Sequence, residues 1–126
     1  MAKTVPNQPG LEAGPYPFSK VVEANGFVFL AGQVGEAPGG HGAVPGGIGP
    51  QTRAMLVNVG RLLRAVGLDF GDVVKCTVYL RDFDDFAEMN AVYREYFPTE
   101  PPARATVGVT ALAADFRVEI EVQAAR

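Results

Sequence analysis

The sequence predicts an α+β fold: a mixed sheet with two helices covering one of its faces, in the order β-β-α-β-α-β-β. Three features carry that expectation. The apolar residues repeat every second position towards both ends of the chain and at helical spacing in two central stretches. An Asn-Gly dipeptide joins two β-rich runs near the N-terminus. The chain closes on RVEIEVQAAR, in which Val118, Ile120 and Val122 alternate with Arg117, Glu119, Glu121 and Gln123.

Residues 1–17 are rich in Pro, Gly and Asn and read as an extended leader. In FSKVVEANGFVFLAG the Asn25-Gly26 pair suits the positive φ angles of a type I′ turn, so the two runs form a hairpin. Residues 35–50 hold seven glycines and three prolines, which makes them a loop, either a plain surface loop or a rim over a pocket or a subunit contact. From Gln51 to Leu68 the residues Met55, Leu56, Val59, Leu62, Leu63 and Val66 form one apolar stripe, and Gly67 suits the position just past a helix end. DVVKCTVYLRD is a strand with Val74, Cys76, Val78 and Leu80 on one face. DFDDFAEMNAVYREYF is a second amphipathic helix, with Phe86, Met89, Tyr93, Tyr96 and Phe97 as its stripe and Asp84 or Asp85 as its cap. RATVGVT is a short strand placing Arg104, Thr106, Gly108 and Thr110 opposite Ala105, Val107 and Val109. FRVEIEVQA is the last strand.

A chain of 126 residues is one domain on size, 1–126, with a core burying about two-thirds of the unfolded surface. The composition is 48% hydrophobic and 20% charged, which is globular. A net charge of -3 and the absence of a Lys/Arg cluster argue against a nucleic-acid partner. The N-terminus lacks the apolar core of a signal peptide and no apolar run reaches the roughly 20 residues of a membrane span, so a cytoplasmic protein is expected.

With both helices on one face, the other sheet face carries uncharged residues: Val21 or Val22, Val28 or Leu30, Thr77, Tyr79 and Thr106. Such a face is usually covered, most simply by copies of the same chain in a closed ring. Arg104 and Glu119 would then lie near subunit boundaries, partly removed from water.

The catalytic inventory is small. His41 is a loop residue and Cys76 reads as a small core residue. One His and one Cys do not make a zinc site. What remains is an arginine able to grip a carboxylate with both arms of its fork, and a glutamate able to hold and deprotonate a water. Taken alone, Arg104 is a surface arginine, and alternation places Glu119 and Glu121 on the same face without choosing between them.

GPYPFSKVV, FVFLAGQVG, VPGGIGPQTRAMLVNV, VVKCTVYLRDFDDFAEMNAVYREYF, PPARATV and LAADFRVEIEVQA resemble the RidA/YjgF family in order and spacing, from about Gly14 to Ala125, leaving residues 1–13 as a leader. The resemblance implies a chorismate-mutase-like fold, a homotrimer with clefts between neighbouring subunits, and no cofactor. It implies hydrolysis of reactive 2-imino acids and their enamine tautomers, such as 2-aminoacrylate or 2-iminobutyrate, to 2-oxo acids and ammonia. These imines leave pyridoxal-phosphate enzymes and damage others, so the role is control of metabolite damage. By position, Arg104 matches the arginine that grips the substrate carboxylate, and Glu119 the glutamate of the hydrolytic water. Tyr16 matches an aromatic lining the cleft, Asn90 an asparagine near it, and Gly32 a turn where backbone approaches ligand. Thr106 stands where many members have Cys, its N–H still available to substrate, and Ala31 stands where many have Ser or Thr. The GIGP stretch suggests a late helix start. The alternative is a non-catalytic trimer, chaperone-like or binding small carboxylates. A ribonuclease is disfavoured by the lack of a basic surface.

Overall fold

The computed structural model describes residues 2–126. Strands β1 (Val21–Ala24), β2 (Phe27–Val34), β3 (Val73–Leu80), β4 (Ala103–Gly108) and β5 (Val118–Ala125) make one sheet, in the spatial order β1-β2-β5-β3-β4. Helix α1 (Ile48–Ala65) connects β2 to β3, and α2 (Phe86–Tyr96) connects β3 to β4. The pair β3/β4 is parallel and the other pairs are antiparallel, so the sheet is mixed, as expected. A parallel neighbour needs a crossover, which α2 supplies.

The hairpin forms at Asn25-Gly26, whose φ angles are 55° and 80°, with Ala24 opposite Phe27. The leader is tied to the outer edge of β1 by paired backbone bonds between Thr4 and Glu23, each 2.8 Å, and Leu11 is buried. The glycine loop is also held. The N–H of Val44 donates to the Gly35 carbonyl, that of Ala43 to the Asp115 carboxylate, and the Asn58 amide to the carbonyls of Val34 and Glu36.

Both helices pack on one sheet face. Val28, Leu30, Cys76, Val78, Leu80, Val118, Ile120 and Val122 meet Met55, Leu56, Val59, Leu63 and Met89 there. The opposite face carries Phe27 and Phe29, rings 6.4 Å apart, with Thr77, Tyr79, Val107 and the polar side of β5. Phe27, Phe29 and Val107 are all exposed in the single chain.

Four local expectations change. Helix α1 begins at Ile48 rather than Gln51, because Pro50 falls in the first turn, where a missing N–H costs nothing. It ends at Ala65, and the bonds from Gly67 N–H to Arg64 and from Leu68 N–H to Leu63 close it. In β3 the register shifts between Val73 and Lys75, so Val73 is buried and Val74 faces solvent. Asp85 holds the N-cap position of α2 but makes no side-chain cap bond, and it is the preceding 3₁₀ turn, Phe83–Asp85, that Asp82 caps by accepting from the Asp84 N–H. Asp85 instead accepts from Arg117 at 2.7 and 3.1 Å and is buried. Finally, the parallel register places Arg104 beside Cys76 and Thr106 beside Val78, so both project to the helix side and it is Ala105 and Val107 that lie on the open face. Val21, Val28 and Leu30 likewise belong to the core rather than the open face, leaving Val22 there.

Candidate active site

Two half-sites result, on opposite faces of the sheet. The first gathers around Arg104. Its strand is the sheet edge, and its side chain reaches the rings of α2. The guanidinium carbon lies 4.7 Å from the centre of the Tyr93 ring and 5.7 Å from that of Phe86. Among the described residues Arg104 has no carboxylate within ion-pair distance, whereas Arg53, Arg117 and Arg126 pair with Glu95, Asp85 and Glu23. A hollow of about 380 Å³ opens beside it, walled by Asn90, Tyr93, Phe97 and the prolines 98, 101 and 102. The hydroxyls of Tyr93 and Thr106 are buried without a hydrogen-bond partner among the described residues. Burial pushes the Tyr93 phenol far above its ordinary pKa; the Cys76 thiol raises it further and Arg104 opposes. The expected site residues Arg104 and Asn90 thus share one hollow, and Thr106 sits on the same side of β4.

The second half-site gathers around Glu119. It lies opposite Tyr79 in the β3/β5 ladder and opposite Val34 in the β2/β5 ladder. Where β2 passes it, the register shifts between Leu30 and Gln33, and the irregular segment contains Ala31 and Gly32. A Cβ on residue 32 would fall on Glu119 Oε2, so glycine leaves the space that the carboxylate occupies. Gly32 therefore serves Glu119 directly, a role its position in the AGQ turn did not announce. Tyr16 is 71% exposed and borders a broad hollow with Phe18, Lys20, Gly32 and Gln33.

The two glutamates that alternation could not separate differ physically. Glu121 accepts a hydrogen bond from the Tyr79 hydroxyl, and that bond is the main reason the Tyr79 phenol is harder to ionise. Glu119 has no such partner among the described residues. Its half-burial raises its pKa above the usual glutamate range, and Glu121 beside it raises it further. A carboxylate of this kind is the better proton acceptor at neutral pH.

Within one chain, then, Arg104 and Glu119 do not meet. Arg104, Asn90 and Thr106 lie on the helix side; Glu119 and Gly32 lie on the open side. A single chain holds the expected arginine and glutamate in separate places. Tyr93 and Phe86 read in sequence as core stripe residues, yet their rings flank the guanidinium. The signal for that role was weak, since it depends on which face of β4 turns towards α2. Among the described residues, no group of three His, Cys, Asp or Glu is placed to hold a metal ion, and no helix is long and apolar enough to cross a membrane.

Comparison with known proteins gives a consistent result. The sequence model of the family described as Endoribonuclease L-PSP matches residues 12–126. A RutC family protein of Pyrococcus horikoshii is 46% identical over 105 residues, covering 83% of each chain. The 2-iminobutanoate/2-iminopropanoate deaminase of Bos taurus is 43% identical over 105 residues, covering 83% of this chain and 77% of its own. The crystal structure of the E. coli YjgF gene product superposes with a TM-score of 0.87 at 33% identity, over 99% of each chain. With a match across nearly its whole length and the same fold, the chain belongs to the RidA/YjgF family.

Proposed function

We propose that the protein hydrolyses reactive 2-imino acids and their enamine tautomers to 2-oxo acids and ammonia, in the cytoplasm, as a homotrimer. Arg104 of one copy and Glu119 of the next complete each site. The observation that carries this reading is an arginine fork held between two aromatic rings with no carboxylate of its own among the described residues. Relatives at 40–43% identity that bear the name 2-iminobutanoate/2-iminopropanoate deaminase support it.

In the reaction, the Arg104 fork takes the substrate carboxylate with two parallel hydrogen bonds and so fixes the position of the C=N carbon. Glu119 accepts a proton from a water, whose oxygen bonds to that carbon while the C=N electron pair moves to nitrogen. Glu119 returns that proton to the nitrogen, giving a tetrahedral carbinolamine. The carbinolamine hydroxyl then gives its proton to Glu119, which passes it to the amine, so the C–N bond breaks and ammonia departs as the C=O forms. The imine is already electrophilic, so the site's main task is orientation, which supplies roughly 7–11 kcal/mol in favourable cases. Asn90 walls the hollow beside the grip, Thr106 shares its side of β4, and Tyr16 borders the hollow beside Gly32.

The test is to add the protein to a threonine or serine dehydratase and follow 2-oxo acid appearance. Wild type accelerates release; no acceleration contradicts the proposal. The same assay distinguishes a pure binding protein: Glu119→Gln would then keep both its function and its ligand-induced thermal shift, whereas here it keeps only the shift.

Gly32→Ala gives a finer check. The added methyl displaces only the end of a flexible side chain, so the fold should persist with little change in Tm. The Glu119 carboxylate moves, however, and an ångström-scale displacement of a reacting group costs about 10²-fold in turnover. Far-UV circular dichroism and the coupled assay on one preparation measure both.

A further inference from the structure

We propose that Tyr93 and Phe86 are positioning residues: they form an aromatic clamp that sets the plane and reach of the Arg104 guanidinium before substrate arrives. This rests on the reading of Arg104 as the carboxylate grip and deepens it.

The clamp follows from helix geometry. Phe86 and Tyr93 are seven residues apart on α2, about 10.5 Å of helical rise. The guanidinium carbon sits 5.7 Å from one ring centre and 4.7 Å from the other, so it spans the gap between them. Guanidinium groups are planar and weakly hydrated, and they lie well against aromatic faces. The rings are themselves held. Tyr93 is buried and packs on Phe97 with centroids 4.7 Å apart, and Phe83 stacks on Phe86 at 5.1 Å with planes 18° apart. Elsewhere in the chain, paired arginines are fixed by carboxylates. Here the rings give order without neutralising the charge. A carboxylate partner would compete with the substrate for the same fork, and an arginine free in water would lose conformational entropy on binding.

The Tyr93 hydroxyl is buried and, although Cys76 and Arg104 lie near enough to act on its ionisation, it makes no hydrogen bond among the described residues, so the clamp is assigned to the ring. What matters is the ring face. Phenylalanine at 93 should therefore behave like tyrosine, and leucine should not.

The experiment measures Kd for 2-oxobutanoate by calorimetry, and KM and kcat for imine hydrolysis, in Tyr93→Phe, Tyr93→Leu, Phe86→Leu, Arg104→Ala and Tyr93→Leu combined with Arg104→Ala. Tyr93→Phe should lie within about twofold of wild type, and Tyr93→Leu should raise Kd and KM roughly 3- to 30-fold with kcat little changed. Phe86→Leu, at a half-buried position, should shift Kd in the same direction and serves if Tyr93→Leu does not fold. In the Arg104→Ala background Tyr93→Leu should have no further effect on Kd. A general packing role would instead lower the amount of folded protein and leave the KM of the folded fraction alone. The clamp is overturned if Tyr93→Phe is as impaired as Tyr93→Leu, if Kd is unmoved by both leucine variants, if Tyr93→Leu has the same effect with and without Arg104, or if wild type binds no oxo acid. Imine hydrolysis absent from wild type, with the Kd pattern intact, would remove the catalytic reading and leave the clamp standing.

Discussion

Arg104→Ala should lower kcat/KM for 2-imino acids by roughly 30- to 4,000-fold, the equivalent of about 2–5 kcal/mol for truncating one side of a hydrogen-bonded charge pair in a sequestered site. The loss should be specific to function. Arg104 has no ion pair among the described residues, so its removal forfeits ring contacts but breaks no salt bridge. Tm should fall by a few degrees at most. Arg104→Lys should land in between, because an ammonium keeps the charge but cannot present two parallel donors. Dehydratase-coupled release of 2-oxobutanoate measures the effect. Activity of Arg104→Ala within a factor of two of wild type would remove the arginine from the mechanism.

Glu119→Gln should lower kcat by about 10²- to 10⁴-fold, the usual worth of a positioned proton acceptor, while Kd for 2-oxobutanoate changes little. The pH profile carries the same prediction in another form. Burial and Glu121 raise the pKa of Glu119. The acid limb of kcat/KM should therefore lie above the ordinary glutamate range, with the rate rising as Glu119 ionises. Glu121→Gln removes a neighbouring negative charge and should move that limb to lower pH. Stability should run the other way. A raised folded-state pKa means that the folded chain holds this proton more tightly than the unfolded chain, so its stabilising contribution is full at low pH and is lost as pH rises through that pKa. Glu119→Gln should consequently match or exceed wild type in Tm at neutral pH, and the difference should close below the normal glutamate pKa. An unchanged kcat, or an acid limb at the ordinary glutamate position, would exclude Glu119 as the base.

Much of the fold was legible because each element is consistent with its own local chemistry. Asn25-Gly26 can occupy two successive positive φ angles, and the stripe from Met55 to Val66 has one helical period. The misreadings have physical causes. Alternation puts Val74 on one face with Cys76, Val78 and Leu80 because it assumes an unbroken ladder, and a register shift beside it moves the buried position to Val73. GIGP holds poor helix formers, so the sequence suggests a late start for α1, although proline is tolerated in a first turn, where its missing N–H has no intrahelical partner. Asp85 stands at the cap position of α2, as the sequence suggests, but its carboxylate goes to Arg117, 32 residues further on, which local sequence does not show.

The site was legible in its parts but not in its arrangement. Alternation states that Arg104 and Thr106 share the polar face of β4 and would turn the apolar Ala105, Val107 and Val109 towards the core. Only pairing with β3 shows that the shared face turns towards α2. The same alternation groups Glu119 with Glu121 and cannot reveal that Tyr79 occupies one of them and Gly32 makes room for the other. Arg104 and Glu119 on opposite sheet faces fit the proposed site between copies, and the exposed Phe27, Phe29 and Val107 offer apolar surface that such copies would cover.

Mixing inactive protomers tests that arrangement most directly. Arg104→Ala and Glu119→Gln chains, each inactive alone, are co-refolded in equal amounts and assayed for imine hydrolysis. If each site takes its arginine from one copy and its glutamate from the neighbour, about a quarter of the sites recover both groups and about a quarter of wild-type activity returns. If both groups must come from the same chain, every site lacks one of them and the mixture stays as inactive as its components, which would contradict the account.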